Sequence, residues 1–398
     1  LQWFLQVFVA RVRSLPRLGL LDALFAVIFV SQCLSLLGAP DQKLAFFDIV
    51  YNLKFFLVYF YVAHKVERRH LKWIVVILLM GLVVESPIAL YERLSGNVGI
   101  GRTKGDFSAG QFGNQYEVPG LEQVRAEGTT KDSHTLGEYF AMLLPLALTF
   151  AVIGRIRPLW RMLLGVLLLG GLGGLVVTFS RAGWFSFLLA AMVVFGVVYF
   201  SWRRGAAASV VLFAALLVSL AYPKVYEYAF VRVVEAPGEI MQSRYDLNWT
   251  ALDVWSTNIL FGYGPGNYMN ALEDPRVHVI GPDWLPVHNA FLYIGSESGI
   301  FAAVAFFAMI AVAMKRCWGL RNDADILVRG LSVAIVAGLF AYVLDGLTNP
   351  TFREAEPYSL LWCYLGLSVA LARMRTRPLD APRNARPAPA PLDASGAP

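Results

Sequence analysis

The sequence predicts an all-α polytopic membrane protein with about ten (10–12) transmembrane helices and a helical loop domain on one face, and three observations support this. Hydrophobic residues make up 57% of the 398 positions and mean hydropathy is +0.56, which is more apolar side chain than one soluble core can hide. Apolar runs long enough to cross a hydrocarbon layer of roughly 30 Å recur along the whole chain. Lys and Arg cluster in every second connection between those runs, the pattern that marks loops on the cytoplasmic side.

In order, the expected spans lie at Leu18 to Leu37, Ala45 to Val62, Trp73 to Tyr91, Thr135 to Ile153, Met162 to Phe179, Trp184 to Phe200, Ala206 to Tyr222, Asn289 to Met314, Gly330 to Leu347 and Tyr358 to Leu371. Arg11, Arg13 and Arg17 precede the first, and residues 1–17 read as an interfacial segment too short to span. Lys65, Arg68, Arg69 and Lys72 follow the second span, Arg155, Arg157 and Arg161 the fourth, and Arg203 and Arg204 the sixth. Lys315, Arg316, Arg321 and Arg329 follow the eighth, and Arg373, Arg375 and Arg377 the tenth. Both ends are thus expected in the cytoplasm, with the remaining connections outside, which in a bacterium is the periplasmic face of the inner membrane. The net charge of +6 is mostly this topology signal and calls for no nucleic acid. Cys33, Cys317 and Cys363 are scattered, without metal or redox spacing.

The domain plan that follows has residues 18–222 as spans one to seven, with an outer loop at 92–134, and 223–287 as a second outer segment. Residues 288–372 hold spans eight to ten, and 373–398, rich in Pro and Ala, form a disordered tail. Three ionisable residues inside spans, Lys54, Glu85 and Asp345, are costly in lipid. Lys54 is expected to snorkel or pair with an acid such as Asp48. For Glu85 and Asp345, contact with a substrate is the lesser alternative.

The outer connections carry the chemistry. In the first, GRTKGDF sets Arg102 between glycines, where a backbone can approach a ligand closely. The same loop closes with Asp132, Ser133 and His134, and Ser133 reads as the N-cap of the next helix. The fifth and sixth spans are joined only by TFSRAGW, so Ser180 and Arg181 stand at the tip of a tight hairpin. In the second outer segment EIMQSRYDLNWTALDVWSTN repeats apolar residues at Ile240, Leu247, Ala251, Val254 and Trp255 with helical spacing, and Arg244 falls on that face. A cation there needs a counter-ion, either an acid of the loop or a substrate anion. FGYGPGNY, from Phe261 to Tyr268, lacks the strand and lysine of a nucleotide loop and instead reads as a helix breaker that steers the chain back to the membrane.

His288 then opens HNAFLYIGSESG, with Asn289 beside it and Glu297 about two and a half turns further in. Arg102, Arg181 and Arg244 on one face suit a phosphate or diphosphate, because each guanidinium fork matches two oxygens. A histidine among them is suited to act as general base toward a hydroxyl. Its plain alternative is a hydrogen bond at the helix start.

SRAGW, the arginine-bearing helix followed by GYGPGNY, and HNAFLYIGSESG, in this order across this topology, resemble the O-antigen ligase and O-antigen polymerase superfamily of membrane glycosyltransferases. The resemblance covers roughly Arg102 to Gly299. GRTKGDF is similar to the arginine and glycine segment of the first outer loop, although GQFGNQYEVPGLEQV departs from the family pattern after it. The resemblance implies a GT-C-like fold and transfer of a glycan from an undecaprenyl diphosphate carrier to an acceptor hydroxyl on the periplasmic side, with inversion. It implies that Arg181 and Arg244 clamp the diphosphate, Arg102 assists, His288 activates the acceptor, and Asn289 and Glu297 orient that histidine or line the cavity. Implied partners are the lipid-linked glycan donor, membrane lipid, and an acceptor glycolipid, glycan or protein.

No metal or other cofactor is expected, because the lone Asp-x-Asp, Asp323 and Asp325, falls in a connection assigned to the cytoplasm. Among enzymes of this chemistry a ligase, a polymerase of the growing glycan and a protein O-oligosaccharyltransferase stay open. A multi-span transporter is the alternative of a different class.

Overall fold

The computed structural model describes residues 18–96, 125–153, 157–198, 238–281, 285–349 and 354–375. Its helices are α1 (Leu20–Leu37), α2 (Gln42–Lys65), α3 (Leu71–Ser95), α4 (Ser133–Val152), α5 (Pro158–Val177), α6 (Arg181–Val198), α7 (Gly238–Thr257), α8 (Tyr268–Ala271), α9 (Ala290–Trp318), α10 (Ile326–Gly346) and α11 (Ala355–Arg375), with a short 3-10 turn at Arg68–His70. No strand occurs among the described residues. Eight helices, α1 to α6, α9 and α10, are long and apolar enough to cross a membrane, and the protein is an all-helical polytopic membrane protein. The expected seventh span, Ala206 to Tyr222, and the segments at 1–17 and 376–398 lie outside the described residues. The expected tenth span is the helix α11, but it is not among the eight. Tyr358, Trp362 and Tyr364 dilute its apolarity, and all three are buried in the bundle, where a helix has no need of a lipid-facing surface.

The centre of the bundle is α4, buried on nearly every side and packed on α5, α6 and α10. A helix that is apolar all round belongs inside, whereas α5 leaves most of its surface open, as a lipid-facing helix does. Around this centre α11 lies on α2 and α9 lies on α1.

The two ends of the bundle are tied by different bonds. At one end Arg68 pairs with Asp325 at 2.8 Å, and Arg373 donates to the carbonyls of His64 and Val66. The basic connections after the second and eighth spans therefore meet at the same end. Asp325 also caps α10 by accepting from the Leu327 amide, and Asp323 accepts from the Asp325 amide, so both acids of the Asp-x-Asp are engaged in local structure.

At the opposite end the first outer loop returns to the helices on two carboxylates of α3. Glu92 accepts from the amides of Glu127 and Gly128, both at 2.8 Å, and Glu85 accepts from the amide and hydroxyl of Thr129. Buried carboxylates demand donors, and here the backbone of the returning loop, itself largely buried, supplies them. Lys54 is also accounted for, since its ammonium lies over the rings of Tyr51 and Phe55 at 4.2 and 4.5 Å. Ser133 is not the cap of α4. Asp132 is, accepting from the amides of His134 and Thr135, which leaves Ser133 as the first helical residue.

Candidate functional site

The site is built on α9 and the helix laid along its outer half. Asn289 caps α9, its Oδ1 accepting from the amides of Phe291 and Leu292 at 2.9 and 3.2 Å, and its amide donates to the Leu347 carbonyl at the end of α10. Held by that cap, His288 sits just outside the helix and is part-buried. Its Nδ1 lies 3.0 Å from the Pro286 carbonyl oxygen. A carbonyl only accepts, so Nδ1 carries the proton and Nε2 keeps its lone pair.

Burial, and after it the charge of Arg244, push the His288 imidazole down to about 4, against the partial support of Pro286 and of Asp132. At neutral pH the ring is therefore uncharged, the form that can take a proton. Arg244 and Asp132 both lie within electrostatic reach of the ring. Arg244 and Asp132 also act on Asp345, near the outer end of α10, which is fully buried and accepts from Asn349 at 2.8 Å. The structure thus gathers His288, Arg244, Asp132 and Asp345 from four separate elements.

Arg244 arrives there because α7 is amphipathic. Leu247, Thr250, Ala251 and Val254 are buried on one face, while Tyr245, Trp249 and Leu252 stay exposed on the other. The buried face lies on α9, and Arg244 continues that face one turn toward the N-terminus, within electrostatic reach of His288. Two hydrogen bonds between Thr250 and Ile280 hold the strand-like return of the chain against the same helix.

Arg181 is the first residue of α6, following Phe179, whose φ of +52° makes the sharp corner of the hairpin. Ser180 is fully buried and packs so closely on Gly137 of α4 that a Cβ there would lie 2.6 Å from the serine Cβ. The hairpin tip is thereby seated on the first turns of α4, the end that carries Asp132. Arg125 donates to the Thr178 carbonyl at 3.1 Å, which ties the returning loop to the same corner. Arg102 lies outside the described residues.

Glu297 is placed away from His288. It is buried, and its carboxylate accepts from the backbone amides of Gly266 and Tyr268 and from the Tyr293 hydroxyl. The glycine-rich turn therefore ends on this residue. Among the described residues no group of three or more His, Cys, Asp and Glu is arranged to hold a metal ion.

Asp132 was legible only as part of a loop end, and its proximity to His288 follows from the packing of α4, which no local pattern reports. Asp345 carried a signal, a carboxylate inside an apolar span.

Residues 165–307 match the family described as O-antigen ligase. No curated protein matches the chain. Among solved structures, one from work on the structural coordination of polymerization and crosslinking by a peptidoglycan synthase complex is similar at 20% identity and a TM-score of 0.48, over 90% of this chain and 97% of that one, a likeness too distant to bear on function. The matched stretch contains the hairpin of Arg181, the helix of Arg244 and the motif of His288, and over it the chain is similar to the O-antigen ligase family, which supports the resemblance read from those motifs.

Proposed function

We propose that this protein transfers a glycan from an undecaprenyl diphosphate carrier to an acceptor hydroxyl at the periplasmic face of the bacterial inner membrane, without a metal. The observation that carries this reading is the Nδ1 hydrogen bond of His288 to Pro286, which leaves Nε2 free, in a ring that the Arg244 guanidinium reaches electrostatically. An acid–base residue beside a fixed cation suits a reaction in which a proton is removed while an anion departs.

In the proposed step the acceptor oxygen attacks the anomeric carbon and Nε2 of His288 takes the hydroxyl proton. The bond from the anomeric carbon to the diphosphate oxygen breaks, and its electron pair leaves with the diphosphate. Attack from the opposite face inverts the anomeric centre. Arg244, with Arg181 from the hairpin and Arg102 from the first outer loop, holds the diphosphate and stabilises its developing charge in place of a metal. Asn289 fixes the start of the helix on which His288 is mounted.

A lipid A core glycolipid, the growing glycan and a protein hydroxyl are the candidate acceptors. Purified protein supplied with lipid-linked glycan and each acceptor in turn distinguishes ligase, polymerase and O-oligosaccharyltransferase by which one gains the glycan. Failure of transfer to all three, with solute uptake into liposomes instead, would support the transporter reading, which the break in α9 at Gly299 keeps in view.

A further inference from the structure

Helix α7 packs against α9, and three contacts join the two segments. The Ser296 hydroxyl donates to the Ala251 carbonyl at 3.1 Å, a pair 45 residues apart. A Cβ on Gly295 would lie 2.6 Å from the Trp255 ring, so the indole packs directly on the α9 backbone. The Ile300 amide donates to the Ile259 carbonyl at 2.9 Å, just beyond the end of α7. Arg244 and His288 precede these contacts on their own segments, and the charge of Arg244 reaches the His288 ring.

What locks these contacts is a break in α9. Gly299 has φ +77° and ψ 179°, and the helical ladder stops there. The carbonyls of Ser296 and Glu297 then face the glycine-rich turn and accept from the amides of Tyr263 and Gly264 at 2.9 and 2.8 Å. The Glu297 side chain completes the grip on the far side of the same turn, through Gly266, Tyr268 and Tyr293. Since the turn follows α7 directly, clamping it prevents α7 from sliding along α9.

We infer that Glu297 is a positioning residue for the transfer reaction: it anchors the turn at Gly262–Tyr268, which follows α7, and so holds Arg244 within reach of His288. This rests on the proposed roles of those two residues and assigns Glu297 to Arg244, rather than to the histidine on its own helix. Its chemistry fits. A carboxylate offers acceptors to three donors at once, whereas a glutamine would turn an N–H toward a backbone N–H.

The test reads the surroundings of His288 without requiring turnover. Diethyl pyrocarbonate attacks the uncharged ring, so the rate of modification of the His288 peptide, followed by mass spectrometry against pH in full-length protein, reports when that ring gains a proton. The groups that act on the ring are Arg244 from α7 and Asp132 from the cap of α4. In the unaltered protein the rate should stay flat down to roughly pH 5, and in Arg244→Ala the bend should move upward while staying below the ordinary histidine value of about 6.5, because burial still opposes the charged ring. Glu297→Gln should move the bend upward in the same direction, and Ser296→Ala, which loses the Ala251 contact, serves where Glu297→Gln does not fold.

In the transfer assay Glu297→Gln should lower the rate tenfold or more in the unaltered background and at most twofold on top of Arg244→Ala. A bend that moves in Arg244→Ala but stays put in both Glu297→Gln and Ser296→Ala overturns the inference, as does an equal loss of rate in both backgrounds. Should no protein transfer glycan, the proposed reaction fails, while the modification profile still decides what Glu297 holds.

Discussion

The Nδ1 of His288 donates to the Pro286 carbonyl across 3.0 Å, and this one bond settles which nitrogen of the ring is free. With Nδ1 occupied, only Nε2 can accept a proton from an incoming hydroxyl. The bond is local, two residues back along the chain, so it is formed before any substrate binds.

The low value of about 4 for this ring sets the pH profile. Because the site resists the protonated form, the base is available through neutral pH and is lost only as pH falls through that value. The acid limb of kcat/KM, which reports the free enzyme, is therefore expected at roughly pH 4 to 5. A bound diphosphate is an anion and favours the imidazolium, so the limb in kcat should sit at higher pH than the limb in kcat/KM. Identical limbs would mean that the diphosphate does not approach His288.

Arg244→Ala should cut kcat/KM by about 10²–10³-fold, the usual loss when a preorganised donor to a developing anion is removed. Arg244→Lys should recover little of it, because an ammonium cannot supply the planar fork. The acid limb should move upward in Arg244→Ala, stopping short of about 6.5 because burial still opposes the imidazolium, and should stay low in Arg244→Lys, which keeps the charge. Full activity of the lysine variant would reduce Arg244 to a point charge.

Transfer should continue in chelator. Asp323 and Asp325 are engaged at the other end of the bundle, with Arg68 and the start of α10, so replacing either should alter stability and leave the acid limb in place. Loss of activity in chelator that Mg²⁺ or Mn²⁺ restores would sink the metal-free account.

Gly299→Ala should destabilise the protein by about 2–4 kcal/mol, combining backbone strain with overpacking. The residue has φ +77°, and a Cβ would lie 2.0 Å from the Leu260 carbonyl oxygen. A thermal shift in detergent measures this. An unchanged transition would show that the break in α9 is not held as described.

Much of this arrangement was readable from residue order. The spacing of Leu247, Ala251 and Val254 announced the buried face of α7 and placed Arg244 on it, because that pattern is local to one helix. His288 at a helix mouth was readable for the same reason. Asp132 escaped because its cap is a short-range feature, while its reach to His288 depends on how α4 packs. Glu85 looked like a costly intramembrane acid, and its partner, Thr129, is supplied by a loop 44 residues away. Glu297 was readable as a polar residue in an apolar span, but its partners in the glycine-rich turn are accessible only because Gly299 interrupts the helix, and a positive φ cannot be deduced from a glycine alone.

The central claim is that His288 takes the acceptor proton while Arg244 sits beside it. The most direct measurement is single-turnover transfer from lipid-linked glycan by purified His288→Ala, alongside the unaltered protein at equal donor occupancy. The account predicts donor binding within about twofold and a transfer rate lower by about 10²–10⁴-fold, the range for loss of a general base. A His288→Ala protein that transfers glycan at the unaltered rate would contradict it.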